Sequence, residues 1–299
     1  LLGSVGQLYG DALFLEHLFT FLDLQPTLQS PERPHPAPEA LHDGITFRNV
    51  TFCYPGSTHR ALDAFDLHVP AGKTVALVGP NGAGKTTVTK LLCRFYDPTG
   101  GAIELDGVDL RRLDVDELRR RCTVLFQYPM HYFATVAQNI AMGDLKTPPS
   151  RERIERAARG GGAHEVAAQL PQGYETLLGK QFRGGAELSG GQWQRITLAR
   201  AFYREAPIVI LDEPTSFMDS WAEAQWLDRF RELVRGRTAL IITHRFTTAM
   251  RADLICVMDA GRVVEAGTHR ELLARDGLYA ASWTAQMQAE KDLSQKVPE

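Results

Sequence analysis

The stretch Gly79-Pro80-Asn81-Gly82-Ala83-Gly84-Lys85-Thr86-Thr87 constrains this chain more than any other. It matches G-x-x-x-x-G-K-[ST], between an apolar run at 73–79 that reads as a strand and a segment at 84–95 that reads as a helix. Glycines let the backbone turn sharply and bring its N–H groups against phosphate oxygens. The helix that starts at Gly84 adds its partial positive charge. Lys85 can reach outer phosphates and the Thr86 hydroxyl can hold magnesium. An ordinary Gly-rich turn with a chance lysine is a poor account of a match in this strand-and-helix setting.

A second signal is Ile208-Val209-Ile210-Leu211-Asp212-Glu213, an apolar strand ending in two carboxylates. In open α/β sheets ligands bind at the carboxyl ends of strands, so this pair should face the phosphate loop. Asp212 suits a magnesium contact and Glu213 a general base for an attacking water. Taken alone, two acids after a strand are more often a helix cap or a solvated turn. The neighbouring phosphate loop reverses that preference.

Other apolar runs place strands at 45–53, 64–70, 122–126, 237–243 and 253–259, the near-continuous ones suiting a parallel sheet covered on both faces. Residues 130–205 read as a helical subdomain beside the sheet. From Gly267 two short helices are expected, with 286–299 a flexible tail. At the other end, Leu1, Val5, Leu8, Ala12, Leu15, Phe19 and Leu22 form one stripe on a helix over 1–24. A proline-rich linker follows at 25–44, extended and stiff. The ATPase domain is then assigned to 45–285.

With a net charge of −3 the chain has no basic excess to draw it to nucleic acid, and no nucleic-acid partner is expected. Cys53, Cys93, Cys122 and Cys256 are widely spaced and read as small buried residues in a reducing compartment. No stretch has the roughly 18–20 apolar residues of a spanning helix, and no secretory leader is visible. The chain begins without methionine and reads as a piece of something longer.

Leu188-Ser189-Gly190-Gly191-Gln192 resembles the signature motif of ABC transporter nucleotide-binding domains. Its serine and glycines open a second helix, hence a second cluster of N–H donors. The resemblance implies an α/β P-loop NTPase (RecA-like) core with a mainly parallel sheet, an antiparallel β subdomain and a helical subdomain. It also implies two cassettes head to tail, as a homodimer or a heterodimer. Each ATP, with Mg2+, would lie between the phosphate loop of one and the Ser189 motif of the other. Tyr54 resembles the family's adenine-stacking aromatic, and Gln127 the glutamine that touches magnesium or water. Asp219 resembles the D-loop aspartate, and His244 the switch histidine on the γ-phosphate. Each alone would more often be a structural residue; together they read as one site.

A helix ahead of the cassette is similar to the exporter arrangement, which implies a fused or partner transmembrane domain and a place at the cytoplasmic face of the cell (inner) membrane. Tyr174-Glu175-Thr176-Leu177-Leu178-Gly179 also resembles exporters, except that Lys180 replaces a glutamate. Tyr128 to Ala137 is where coupling helices of a membrane domain would press. A soluble ABC ATPase of DNA repair or translation, and an importer subunit, are the alternatives; the single cassette and the leading helix argue against them.

Overall fold

The computed structural model describes residues 2–215 and 220–295. Helix α1 (Leu2–Leu22) leads through the connector into β1 (Gly44–Cys53), β2 (Arg60–Pro70), β3 (Thr74–Val78) and helix α2 (Lys85–Leu92). Strands β4 (Gly100–Leu105) and β5 (Val108–Asp109) precede α3 (Val115–Arg120) and β6 (Cys122–Leu125). Helices α4 (Val136–Ala141), α5 (Arg151–Gly161), α6 (Ala163–Ala168) and α7 (Gly190–Arg204) follow. Next come β7 (Ile208–Asp212), α8 (Ser220–Val234), β8 (Thr238–Ile242) and α9 (Phe246–Ala249). Beyond them lie β9 (Leu254–Asp259), β10 (Arg262–Gly267), α10 (His269–Ala274) and α11 (Leu278–Gln295).

The apolar runs pair with one another in the order β10-β9-β3-β8-β7-β6. Strands β9, β3, β8, β7 and β6 are mutually parallel, and β10 adds antiparallel at the edge. Every residue of β3, β7 and β8 is buried, as a sheet covered on both faces requires. Register levels the strand ends: Leu77 lies opposite Ile242, Ile242 opposite Asp212, and Leu125 opposite Leu211. The carboxyl ends of β3, β8, β7 and β6 therefore open on one edge. The phosphate loop, His244, Asp212 with Glu213, and Gln127 are the residues that continue from those ends.

A second sheet, β2-β1-β4-β5, is antiparallel and shares a core with β3 and α2 through Phe47, Phe65, Leu77 and Val88. The Phe47 and Phe65 rings meet edge to face at 5.5 Å. Beside the main sheet, α4, α5, α6 and α7 close around Ile140, Ala158, Val166, Ile196 and Tyr203.

Three features differ from the sequence expectation. Helix α1 carries no single stripe: Leu13, Phe14 and Phe21 lie well off the face of Leu8 and Leu15, and all five are exposed. Residues 286–295 continue α11 rather than forming a loose tail, because the first turns of that helix are anchored by the fully buried Tyr279. Strands β4, β5 and β10 were not anticipated. The connector, extended as its prolines demand, lies along the domain: Ser30 Oγ donates to Asp114 Oδ2 at 2.8 Å and Arg94 donates to the Gln29 carbonyl at 3.3 Å. Cys93, Cys122 and Cys256 are buried thiols, and burial pushes Cys93 and Cys256 up to about 12.

Ile210, wholly buried in the strand that carries the acidic pair, tests this arrangement. Ile210→Ala should cost about 2–5 kcal/mol, read from denaturant unfolding, because the rigid sheet collapses poorly into the gap.

Candidate functional site

Strand β3 ends at Val78 and the chain turns at Gly79 with φ of +149°. A Cβ there would lie 2.0 Å from the Met258 carbonyl oxygen, so only glycine fits. Gly84, with φ of +99°, is equally confined: a Cβ would come within 2.4 Å of the Ala61 carbonyl oxygen. Between these two points the loop bends back and presents the N-terminus of α2. Lys85 Nζ donates to the carbonyls of Gly79 and Pro80, each at 2.8 Å, which holds the ammonium across the loop. Burial lowers the Lys85 pKa, opposed by the charges of Glu213 and Asp212.

Asp212 ends β7 and is 2% exposed. Burial lifts its carboxyl to about 6, opposed by a hydrogen bond with Thr86. Its Oδ1 has no hydrogen-bond partner. An orphaned buried carboxylate oxygen beside a threonine hydroxyl fits a hard cation, which takes oxygen ligands and shares them with phosphates and water. Asp212, Thr86 and the amide oxygen of Gln127 would hold it. No cluster of three or more His, Cys, Asp or Glu side chains suited to a metal exists among the described residues, so an all-protein cage is not what the site offers.

Glu213 follows with φ of +50°, a left-handed conformation that a non-glycine residue holds only at a cost of order 1–3 kcal/mol. Its N–H donates to the Ile242 carbonyl at 2.8 Å, pinning the turn to β8. Gln127 Nε2 donates to Glu213 Oε2 at 2.9 Å, and His244 Nδ1 lies 3.3 Å from the same oxygen. Three residues from three strand ends thus meet on one carboxylate.

These groups border a cavity of about 730 Å³ together with Tyr54, His59 and the phosphate loop. The Tyr54 hydroxyl bonds the Thr87 hydroxyl at 3.0 Å, its ring packs edge to face on Phe52 and Tyr96, and Lys90 Nζ sits 5.2 Å from its centre. His59 was missed from sequence; only its place in the loop after Tyr54 could have flagged it.

The Ser189 motif opens α7 as expected. Ser189 Oγ accepts from the Gln192 N–H at 3.3 Å, and Gln192 Oε1 accepts from the Ser189 N–H at 2.9 Å, a reciprocal cap. The Gln192 side chain is thereby occupied in capping its own helix. Space is open beside Gly190 and Gly191: a Cβ at either would meet nothing within 4 Å. None of the described residues lining the 730 Å³ cavity comes from this motif. The start of α7 is nonetheless tied to the acidic turn, since Gln194 Nε2 donates to the Pro214 carbonyl at 2.5 Å. It is also tied to the segment after Gln127, where His131 stacks on Trp193 at 4.1 Å. Asp219 lies outside the described residues.

Residues 62–216 match the family described as ABC transporter. The ATP-dependent lipid A-core flippase of Ralstonia nicotianae is 47% identical over 79% of this chain and 40% of its own length. That of Alkalilimnicola ehrlichii is 44% identical over 89% of this chain and 44% of its own. The chain therefore spans less than half the length of these curated relatives. A solved structure of a bacterial Atm1-family ABC exporter with ATP bound superposes with a TM-score of 0.83 at 37% identity, covering 92% of this chain and 47% of that one.

The Asp212 geometry has a measurable consequence. A folded-state pKa raised from 3.8 to about 6 means the native chain holds that proton more tightly, so this group's contribution to stability falls as pH rises through that window. Asp212→Asn should remove the slope. Above pH 6 it should raise the melting temperature in chelator by roughly 2–4 °C for each kcal/mol relieved. Magnesium with ATP should then stabilise the variant less than the wild type, as read by thermal unfolding.

Proposed function

The chain belongs to the ABC transporter family, and from that premise we propose that it is the ATP-hydrolysing cassette of an ABC exporter. In this reading it closes head to tail on a second cassette around two ATP molecules. The observation that carries the dimer is the separation within one chain of two phosphate-binding helix starts. One opens on the nucleotide cavity; the other, at Ser189, contributes nothing to it and stands exposed with both glycines unobstructed. Among the described residues nothing calls for glycine at 190 and 191, whereas a phosphate and a facing protomer would.

The reaction is phosphoryl transfer to water. Backbone amides of Gly82 to Thr87 and the Lys85 ammonium bind the β- and γ-phosphates, and Tyr54 supports the adenine. Thr86, Asp212 and Gln127 would hold magnesium, which when bound would supply Lewis-acid neutralisation of the phosphate oxygens. Glu213 takes the proton of the attacking water while the bond from the γ-phosphorus to its bridging oxygen breaks. Gln127 and His244 orient the carboxylate for that proton. Ser189, Gly190 and Gly191 would meet the γ-phosphate of the partner's nucleotide, and Asp219 would act at the same interface. Loss of the γ-phosphate removes contacts from both halves, and the dimer opens.

Membrane coupling is supported by surface chemistry. Phe126, Tyr128, Met130 and Phe133 are exposed, by 41%, 73%, 65% and 66%, beside a cavity of about 380 Å³ that Phe95, Tyr132 and Arg200 help to line. Such a contiguous apolar patch marks an interaction surface, here for a transmembrane domain. The exposed apolar helix α1 favours the same partner. No helix among the described residues is long and apolar enough to cross a membrane. The relatives named as flippases and the Atm1-family exporter favour export over import. The cassette would then work at the cytoplasmic face of the inner membrane.

Two substitutions test the reading. Glu213→Gln should bind ATP yet hydrolyse it at least about a hundredfold more slowly, the scale of a lost general base; near-normal turnover would remove Glu213 from that role. Gly190→Glu puts an acid at a helix start, where it favours the fold, and points it at the proposed phosphate. ATP-dependent dimerisation, followed by light scattering, should be lost with the melting temperature unchanged.

A further inference from the structure

Helix α11, whose last turns occupy the stretch expected to be a flexible tail, reaches back to the sheet edge that carries His244 and Glu213. Glu265 fixes its start, Oε1 accepting from the Leu278 N–H at 2.6 Å and Oε2 from the Tyr279 N–H at 3.2 Å. Tyr279 is fully buried against the back of β3 and β9, with Val78, Ile255 and Leu272. Spacings of four and three then carry the same face of α11 to Trp283 and Gln286. That face meets α9: the Phe246 ring lies 5.1 Å from Tyr279 and 6.3 Å from Trp283.

At the end of this row the Gln286 amide spans the loop that carries the switch histidine. Gln286 Oε1 accepts from the Phe246 N–H at 2.9 Å, and its Nε2 donates to the His244 carbonyl at 3.5 Å. One side chain therefore brackets Arg245 and fixes the backbone on both sides of it. His244 in turn stands 3.3 Å from Glu213 Oε2.

Resting on the ATPase reading above, we infer that Gln286 is a positioning residue: it holds His244 in register with Glu213, so that the C-terminal helix sets the rate of ATP hydrolysis. Gln286 does not itself line the cavity and reaches it only through the backbone of His244, so its influence falls on turnover, leaving ATP binding to Lys85 and its loop. An element docked on α11, or a displacement of it, would change catalysis without contacting nucleotide.

The test uses the full-length protein in its membrane, with steady-state ATPase kinetics and thermal unfolding. Gln286→Leu removes both bonds and should lower kcat about tenfold with the KM for ATP within twofold, the pattern of an interaction realised only in the transition state. Gln286→Glu keeps the acceptor for Phe246 and loses the donor to His244; its kcat should fall between the two, and it carries the test if the leucine variant does not fold. Thr284→Ala, a neighbour whose hydroxyl bonds only within the helix, should leave kcat unchanged. A leucine variant with wild-type kcat overturns the inference. So does a fall in kcat matched by a rise in KM and a lower melting temperature, which is the signature of a scaffold contact. A wild-type protein that does not hydrolyse ATP would sink the functional reading itself, whereas an active wild type with an indifferent Gln286 sinks only the inference.

Discussion

Glu213 Oε2 receives the Gln127 amide at 2.9 Å and lies 3.3 Å from the His244 ring, and each of the three residues continues from a different parallel strand. Such a meeting requires the strands to end level. The register of β3, β8, β7 and β6 meets that requirement. The buried Val, Ile and Leu that hold the strands in register therefore also set the position of a carboxylate to within hydrogen-bonding tolerance. The left-handed turn at Glu213, fastened to the Ile242 carbonyl, stores strain at the carboxylate proposed as the base.

Around that carboxylate the site is arranged by charge. Lys85 spans its own loop through two carbonyls, while Asp212 keeps one oxygen buried and unpartnered. Both are costly: burial disfavours the lysine's charge despite its carbonyl partners, and the aspartate oxygen has no partner at all. A triphosphate offers negative charge to the lysine, and a divalent cation offers positive charge to the aspartate. In the proposed reading the free chain carries electrostatic costs that ATP and a cation would offset on binding, which would make binding energy available for closure.

Much of this was legible in the sequence because the features involved are local. Fully buried parallel strands read as continuous apolar runs, and Ile208 to Leu211 could hardly be anything else. Glycines at 79 and 84 report positive φ at those positions directly. What stayed illegible depends on tertiary partners. Strand β10 alternates exposed and half-buried residues from Arg262 to Glu265, and resembles a polar loop until β9 lies beside it. The stripe read on α1 was a subset of apolar residues that surround the helix. Gln286 carries no local signal at all; its meaning comes from Tyr279, one buried ring two turns earlier. Gln192, read from its motif as a ligand residue, spends its side chain on the cap of α7.

The central claim is that one ATP is held by two protomers, and heterodimers of defined composition test it most directly. ATP turnover would be measured for two of them. In the first, one protomer carries Lys85→Ala and the other Ser189→Arg; in the second, both substitutions lie on the same protomer. Shared sites leave the first with one intact site and the second with none, so turnover should survive only in the first. Turnover surviving only in the second would mean that each chain completes its own site, and would contradict the account.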